Sequence, residues 1–458
     1  MLFPAGTYLS GTIILKSHVA LHLDPGAVLA GSKDLGDYPP HVPTIRSFTD
    51  TYTDKSLIYA EDVENIAVTG RGVIDGQGAS FHGPYKVRPY LMRFVNCRNV
   101  LMDGVTIKDS PMWVQHYLAC DDVTIHGINV HSRVNGNNDG IDIDGCRRVR
   151  ISDCDIWCGD DAIVLKSTLD RTTRDVVVTN CVLSTLCNAL KLGTESNGGF
   201  ENIAISNCTI YDTRLAGIAI EMVDGGVLDR VSISNITMNG VGTPIFVRLG
   251  DRGRPFVTGG PRPAAGKMRN VAINDIQTDG CGDTGCAIAG LADHPIEGLS
   301  VENVRLTFAG GGTGAQARRD IPELPGNYPE FSMFGKLPAY GFYCRHVKNL
   351  RLENVRTSFA RPDDRPAVVC DDVEGLDVRG SAFDVSAQAD SAIRMAQSRE
   401  VLIQGCRATS PAATWLRLEG AATRNITVIG NDLANARHAI EAAAGVPKDS
   451  VFLSANRP

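Results

Sequence analysis

Asp139, Asp160 and Asp161 are the residues of this chain best suited to chemistry. They fall in two turns, Asn137-Asn138-Asp139-Gly140 and Gly159-Asp160-Asp161. Carboxylates confined to one patch raise one another's pKa, so one can keep its proton as a general acid while a neighbour stays ionised and activates water. Glycoside hydrolysis uses such a pairing. Three solvated loop aspartates would have the same local sequence, and it is the repeat around them that argues for a shared site.

The elements that must position these turns are legible as a repeat. An apolar-x-apolar strand followed by a polar turn recurs at Val149-Arg150-Ile151-Ser152-Asp153-Cys154, Val176 to Cys181, Ile203 to Cys208 and Val231 to Ile236. The period is about 27 residues. Earlier copies begin near Val100 and Val123, and later ones near Val271, Leu299, Leu350, Leu376, Val401 and Ile426. Period-2 alternation inside each strand, with no helical pattern between copies, predicts an all-β parallel β-solenoid, and the leucine consensus of leucine-rich repeats is missing. Coils would stack at about 4.8 Å, turning equivalent positions into ladders.

Composition fits that architecture. The 47 Gly and 22 Pro supply turns, 43% hydrophobic residues supply a continuous core, and no apolar run is long enough to span a bilayer. A solenoid grows in one dimension, so residues 1–458 read as a single domain despite their number. The formal net charge of -7 gives no general attraction to nucleic acid or to an anionic membrane. The 13 cysteines have no framework spacing, and Cys154, Cys181 and Cys208 share one repeat position. They read as a ladder of buried thiols, with a bridge between coils as the alternative; no histidine pair accompanies Cys154 or Cys158 to make a zinc site. Asn180, Asn207 and Asn235 read as a structural ladder of stacked amides.

Aligning the coils predicts which residues share a surface. Ile141, Ile163, Leu190 and Ile218 form one inward row, and Ile143, Leu165, Leu192 and Ile220 another. The outward rows are then Asp142, Val164, Lys191, Ala219 and Asp144, Lys166, Gly193, Glu221, the second continuing to Arg248. Asp139, Asp161, Asn188 and Ala216 occupy the turn before these strands, so a cleft on this face would gather Asp139, Asp160, Asp161, Lys166, Asn188, Lys191 and Glu221. The competing reading of Asp144, Lys166, Glu221 and Arg248 is a surface charge ladder worth about 0–1 kcal/mol per pair.

The chain also resembles the polygalacturonase-like enzymes of glycoside hydrolase family 28. The resemblance rests on Phe3-Pro4-Ala5-Gly6-Thr7-Tyr8, Leu21-His22-Leu23-Asp24-Pro25-Gly26-Ala27, Gly72-Val73-Ile74-Asp75-Gly76-Gln77-Gly78, Ser110-Pro111-Met112-Trp113 with His116, Asp139-Gly140-Ile141-Asp142 and Gly159-Asp160-Asp161, in that order. It implies a right-handed parallel β-helix, hydrolysis with inversion, and no metal or organic cofactor. By the family pattern Asp160 is the general acid, and Asp139 with Asp161 orients and deprotonates the attacking water. The chain departs from the family at two places. Cys187-Asn188-Ala189 stands where a Gly-His-Gly turn is usual, and Ala219-Ile220-Glu221 where an Arg-Ile-Lys strand grips the galacturonate carboxylate. Either Lys166, Lys191 or Arg248 replaces the lost charge, or the sugar there is neutral and Glu221 and Asn188 bind hydroxyls. Glu195, in Lys191-Leu192-Gly193-Thr194-Glu195-Ser196, is a further candidate, and His116 is expected to point outward beside Asp144.

The loops from Asp251 to Lys267 and from about Gly310 to Tyr340 read as cleft walls or as plain surface excursions. Trp113 is expected in the core, the usual place for an isolated Trp in a β-helix, with stacking on sugar rings as the alternative for Trp113, Trp157 and Trp415. The chain begins almost within its first motif, so the N-terminal cap of the family is expected to be missing and self-association through that end is a substitute. As written the sequence points to the cytoplasm, and to a secreted or periplasmic protein if an upstream segment exists. Three readings follow: an inverting glycoside hydrolase on a pectic or related plant polysaccharide or oligosaccharide, a polysaccharide lyase using Lys166 or Lys191 as base, and a non-catalytic glycan-binding β-helix.

Overall fold

The computed structural model describes residues 1–458. Its strands pair in parallel throughout the named elements, and helix is confined to short turns. Two compact units are present, one formed by residues 1–214, 224–227 and 253–264, the other by 215–223, 228–252 and 265–458. Each is built of parallel β-helical coils.

In the first unit the strands that carry the site are β1 (Tyr90–Val95), β2 (Gln115–Leu118), β3 (Ile141–Asp144), β4 (Ile163–Ser167) and β5 (Leu190–Ser196). They pair in sequence order, with Ile141 opposite Ile163 opposite Leu190, and Ile143 opposite Leu165 opposite Leu192. All six of these side chains are at most 1% exposed, so the predicted inward rows form the core. Alternation then turns Asp142, Val164 and Lys191 the other way as one register row, with Asp144 opposite Lys166 in the next. A second face repeats the same logic, Val149 pairing with Val176 and Val176 with Ile203.

Corners between strands explain the ladders. Asp153, Asn180 and Asn207 have φ of 58, 57 and 56°, the left-handed region that Asn and Asp enter most readily among residues with a Cβ. Asn180 Nδ2 donates to Asp153 Oδ1 at 3.3 Å, one coil to the next, and Asn207 Nδ2 donates to Thr179 Oγ1 at 3.3 Å. Cys154, Cys181 and Cys208 are buried, each thiol donating to the carbonyl two residues before it.

The second unit confirms the later repeats. Val271, Leu299, Leu350, Leu376, Val401 and Ile426 lie in one continuous register. The insertion between the Leu299 and Leu350 coils lays Ile321, Phe334 and Leu337 on Phe246, Ala287, Ala289, Tyr343 and Val369. This segment is therefore a packed cover of that sheet, closed by burial of apolar surface, rather than a plain surface excursion.

Candidate active site

The two aspartate turns are held by their neighbours in the coil stack. Val114 N–H donates to Asp139 O, Gly140 N–H to Asp161 O and Ala162 N–H to Asn188 O, each at 2.9 Å, which sets Asp139, Asp161 and Asn188 one above another. Asn138 fixes the first turn by donating to Ser110 O (2.8 Å) and Met112 O (3.0 Å) while accepting from Asn135 N–H. Gly140 has to be glycine, since a Cβ there would stand 2.5 Å from Ala162 O.

Asp139 and Asp161 are buried, and Asp160 keeps partial exposure. Lys191 Nζ stands 3.1 Å from Asp161 Oδ2, and Asn188 donates to Asp161 Oδ1 from its side chain at 3.0 Å and from its main chain at 3.3 Å. Burial would raise Asp161, but Lys191, Lys166 and the Asn188 and Cys187 hydrogen bonds outweigh it and hold the carboxyl below its usual range. Asp160 goes the other way. Burial first, and then the charge of Asp161, raise it, although it accepts from Asp161 N–H (3.0 Å) and Asn137 Nδ2 (3.4 Å). Asp139 is driven well above the carboxylate range by burial and by the charges of Asp142 and Asp160.

Lys166 is central to the cluster. Its Nζ lies 3.7 Å from Asp139 Oδ2, 3.6 Å from Asp142 Oδ1, 3.7 Å from Glu195 Oε2 and 4.7 Å from the centroid of the Trp113 ring. Burial alone would discharge it, yet Glu195, Asp139, Asp142 and Asp161 hold it well above the ordinary lysine value. Glu195 gets there by an irregularity. The ladder between β4 and β5 runs to Leu165 opposite Leu192 and resumes at Ser167 opposite Ser196, so three residues of β5 oppose Lys166 alone. Gly193 accordingly does not stand level with Lys166 as an even repeat predicts, and Glu195 is swung to the ammonium.

Several predicted members are placed otherwise. Asp144 and Lys166 do not form a surface ladder, since both are buried and partnered separately. Asp144 accepts from Thr168 N–H (2.8 Å), Thr168 Oγ1 (2.5 Å) and His116 Nε2 (3.1 Å). His116 lies in register with Asp142, fully buried and stacked on Tyr90 at 5.5 Å, and burial holds it down at about 4, so near neutral pH it is a neutral donor to Asp144. Glu221 is fully buried in the second unit. Arg248, 1% exposed in that unit, gives its guanidinium to the carbonyls of Gly290 (3.0 Å), Glu323 (2.7 Å) and Leu324 (3.3 Å), which makes it a packing group and not a free cation for substrate. Trp415 is buried and Trp157 is on the surface under Arg133, whose Cζ is 4.0 Å from the ring. Trp113 is buried as expected, but against the site rather than away from it.

Sequence reasoning missed four participants. Asp142 belongs to the cluster through Lys166. Arg254, from the Gly/Pro-rich loop, pairs with Glu195 and lies 3.4 Å from Asp224 Oδ2, its guanidinium 4.1 Å over the Phe48 ring. The rings of Tyr52 and Tyr85 lie 4.5 Å apart, tilted by 31°, and Tyr52 meets Trp113 edge-on at 5.3 Å. Phe48 and Tyr52 flank a single turn capped by Ser47 and Asp50, and no repeat register signals such a loop. The Asp160, Asp161 and Cys187 donor atoms lie within 4.8 Å of one another, close enough to share a cation, and Lys191 already supplies positive charge there.

The sequence profile of Glycosyl hydrolases family 28 matches residues 5–321. A probable polygalacturonase of Vitis vinifera is 26% identical over 328 residues, covering 67% of this chain and 66% of that protein. A probable polygalacturonase of Arabidopsis thaliana is 30% identical over 216 residues, covering 46% of this chain and 45% of that protein. The chain thus spans about two thirds and under half of these relatives. A hyperthermoactive exopolygalacturonase from Thermotoga maritima shares the fold, with a TM-score of 0.59 and 21% identity over 78% of this chain and 83% of that one.

Proposed function

The chain belongs to glycosyl hydrolases family 28, and on that premise we propose that it cleaves O-glycosidic bonds in a pectic or related plant polysaccharide or oligosaccharide, with inversion. The carrying observation is the contrast between two adjacent carboxyls, Asp160 pushed toward its protonated form and Asp161 held ionised. Asp160, the partly exposed one, protonates the leaving glycosidic oxygen. Asp139, one coil away, and Asp161 together orient the attacking water and take its proton. Inversion requires acid and base about 6.5–9.5 Å apart with water between them. Side chains splayed from turns stacked at about 4.8 Å, Asp160 in one and Asp139 in the next, suit such a gap, whereas Asp161 shares the turn of Asp160 with carboxyl oxygens within 4.8 Å.

Hydrolysis is favoured over lyase chemistry by the state of Lys166. A lyase base must be a neutral amine, whereas four carboxylates hold this ammonium charged. The subsite is altered from the Arg-Ile-Lys pattern, because Lys166 and Lys191 are sealed among carboxylates; Arg254 is the cation of the cluster that keeps side-chain exposure, at 30%. The test is reducing-end release from polygalacturonan, rhamnogalacturonan and neutral plant glycans, beside Asp160→Asn, with proton NMR of the first anomer formed. Activity lost in a folded Asp160→Asn protein, with the inverted anomer first, supports the assignment. Undiminished hydrolysis by the variant, or a retained anomer, refutes it.

A further inference from the structure

Asp142 is a buried ionisable group to which the proposed hydrolysis gives no part. It lies on β3 three residues past Asp139, 0% exposed, and neither carboxylate oxygen receives a hydrogen bond. Its counter-charge is Lys166, whose Nζ is 3.6 Å from Asp142 Oδ1 and 3.7 Å from Asp139 Oδ2. Glu195 also draws on that ammonium, at 3.7 Å, but has Arg254 as well. Asp139 and Asp142 therefore compete for one cation. From the neighbouring coils His116 faces Asp142 in register and the charges of Asp160 and Asp161 and the phenol of Tyr90 act on it, as does the charge of Asp144 from its own strand. None of these but Lys166 is positive near neutral pH, so the surroundings oppose a second negative charge on the pair.

We propose that Asp142 is a positioning residue for the hydrolysis proposed above: by sharing Lys166 with Asp139, it governs whether Asp139 carries charge when the attacking water is bound. The inference rests on that reading for its catalytic consequence only. Burial followed by the charge of Asp142 leads the influences that push Asp139 up, in keeping with such competition.

Asp142→Asn keeps the shape and removes the competing charge. The first readout needs no substrate. Groups whose folded pKa is raised make the native state bind more protons than the unfolded chain, so they make stability fall as pH rises from the ordinary aspartate pKa through the raised one. In the variant that contribution to the slope becomes shallower by up to one proton. The second readout is the pH profile of reducing-end release, in which the acid limb moves about one unit lower, a tenfold gain at its acid end, with KM unchanged. An unaltered stability slope overturns the proposal, and so does a shallower slope with an unmoved acid limb. Should Asp142→Asn fold poorly, Glu195→Gln relieves the same competition and is expected to move both readouts in the same direction; no movement there counts against the proposal equally. If the wild-type protein releases no reducing ends from any glycan, the hydrolase reading fails on its own, and the stability slope still reports on Asp142.

Discussion

Replacing Lys166 by Met keeps an unbranched side chain one heavy atom shorter and removes the charge that three carboxylates share. At an effective dielectric of about 20, each ammonium–carboxylate contact near 3.7 Å is worth on the order of 4 kcal/mol. These terms do not add, because a stranded carboxyl can take up a proton instead of staying charged. Breaking a buried pair costs about 3–5 kcal/mol, and that is the loss of stability expected for Lys166→Met at pH 8. The loss must shrink in acid. Without the ammonium, Asp139 and Asp142 rise further, so the folded variant binds protons that the unfolded chain does not, and its stability falls as pH rises through this window. For one extra proton the slope is about 1.4 kcal/mol per pH unit, so at pH 6 the deficit should be about 3 kcal/mol smaller than at pH 8. Urea unfolding followed by tryptophan fluorescence suits the measurement, because Trp113 lies directly under the ammonium. Equal m-values would assign the change in midpoint to stability. A loss below 1 kcal/mol, or one of the same size at both pH values, would refute the view that Lys166 holds these carboxylates together.

Three further outcomes are expected. His116, held at about 4 against 6.5 when unfolded, is neutral in the folded protein while the unfolded chain takes up a proton, so stability should rise by about 3 kcal/mol from pH 4 to 6.5 and His116→Gln should remove that rise; an unchanged profile in the variant would be contrary evidence. Lys191→Met should raise Asp161, shifting the acid limb of the pH–activity profile upward and removing a stabilisation present above the ordinary aspartate pKa and lost as pH falls through the depressed one; a limb that stays in place would exclude Lys191 as the group that keeps Asp161 charged. Asp160→Asn, inactive by the assignment above, should be about 1 kcal/mol more stable at pH 8, since a carboxyl that resists ionisation in the fold is relieved by an amide; a less stable variant would argue for a structural carboxylate.

The site was legible as far as the repeat is regular. Alternation and period suffice to place Ile141, Ile163 and Leu190 in one row and to set Asp139, Asp161 and Asn188 one above another. They fail at Gly193–Glu195, because an even period presumes coils of equal length and three residues here oppose one. Alternation also gives the face of a residue without saying what covers that face. A charge ladder in water therefore stands as a competing reading of Asp144, Lys166, Glu221 and Arg248 in the sequence, although all four are buried. Arg254, Tyr52 and Tyr85 come from loops, where no neighbouring coil constrains the chain, and the basic character of the loop after Asp251 was the only sign of Arg254.

The same stacking that makes the fold predictable makes the site electrostatically costly. A ladder repeats the side chain of one coil beside that of the next, which is favourable for leucine in the core and unfavourable for aspartate at a turn. Asp139 and Asp142 have the ammonium of Lys166 between them, which Glu195 also approaches, while Asp161 is met by Lys191 and Arg254 serves Glu195 and Asp224. The deficit is distributed unevenly. Asp161 has an ammonium at 3.1 Å and an amide, while Asp139 and Asp142 divide one more distant ammonium. Uneven neutralisation is what separates the pKa values of chemically identical side chains, and separated values are what allow one aspartate to give a proton while its neighbour accepts one. A cluster with a cation for every carboxylate would be more stable and would lose that division of labour, so the missing charges are as much a part of the site as the residues that are present.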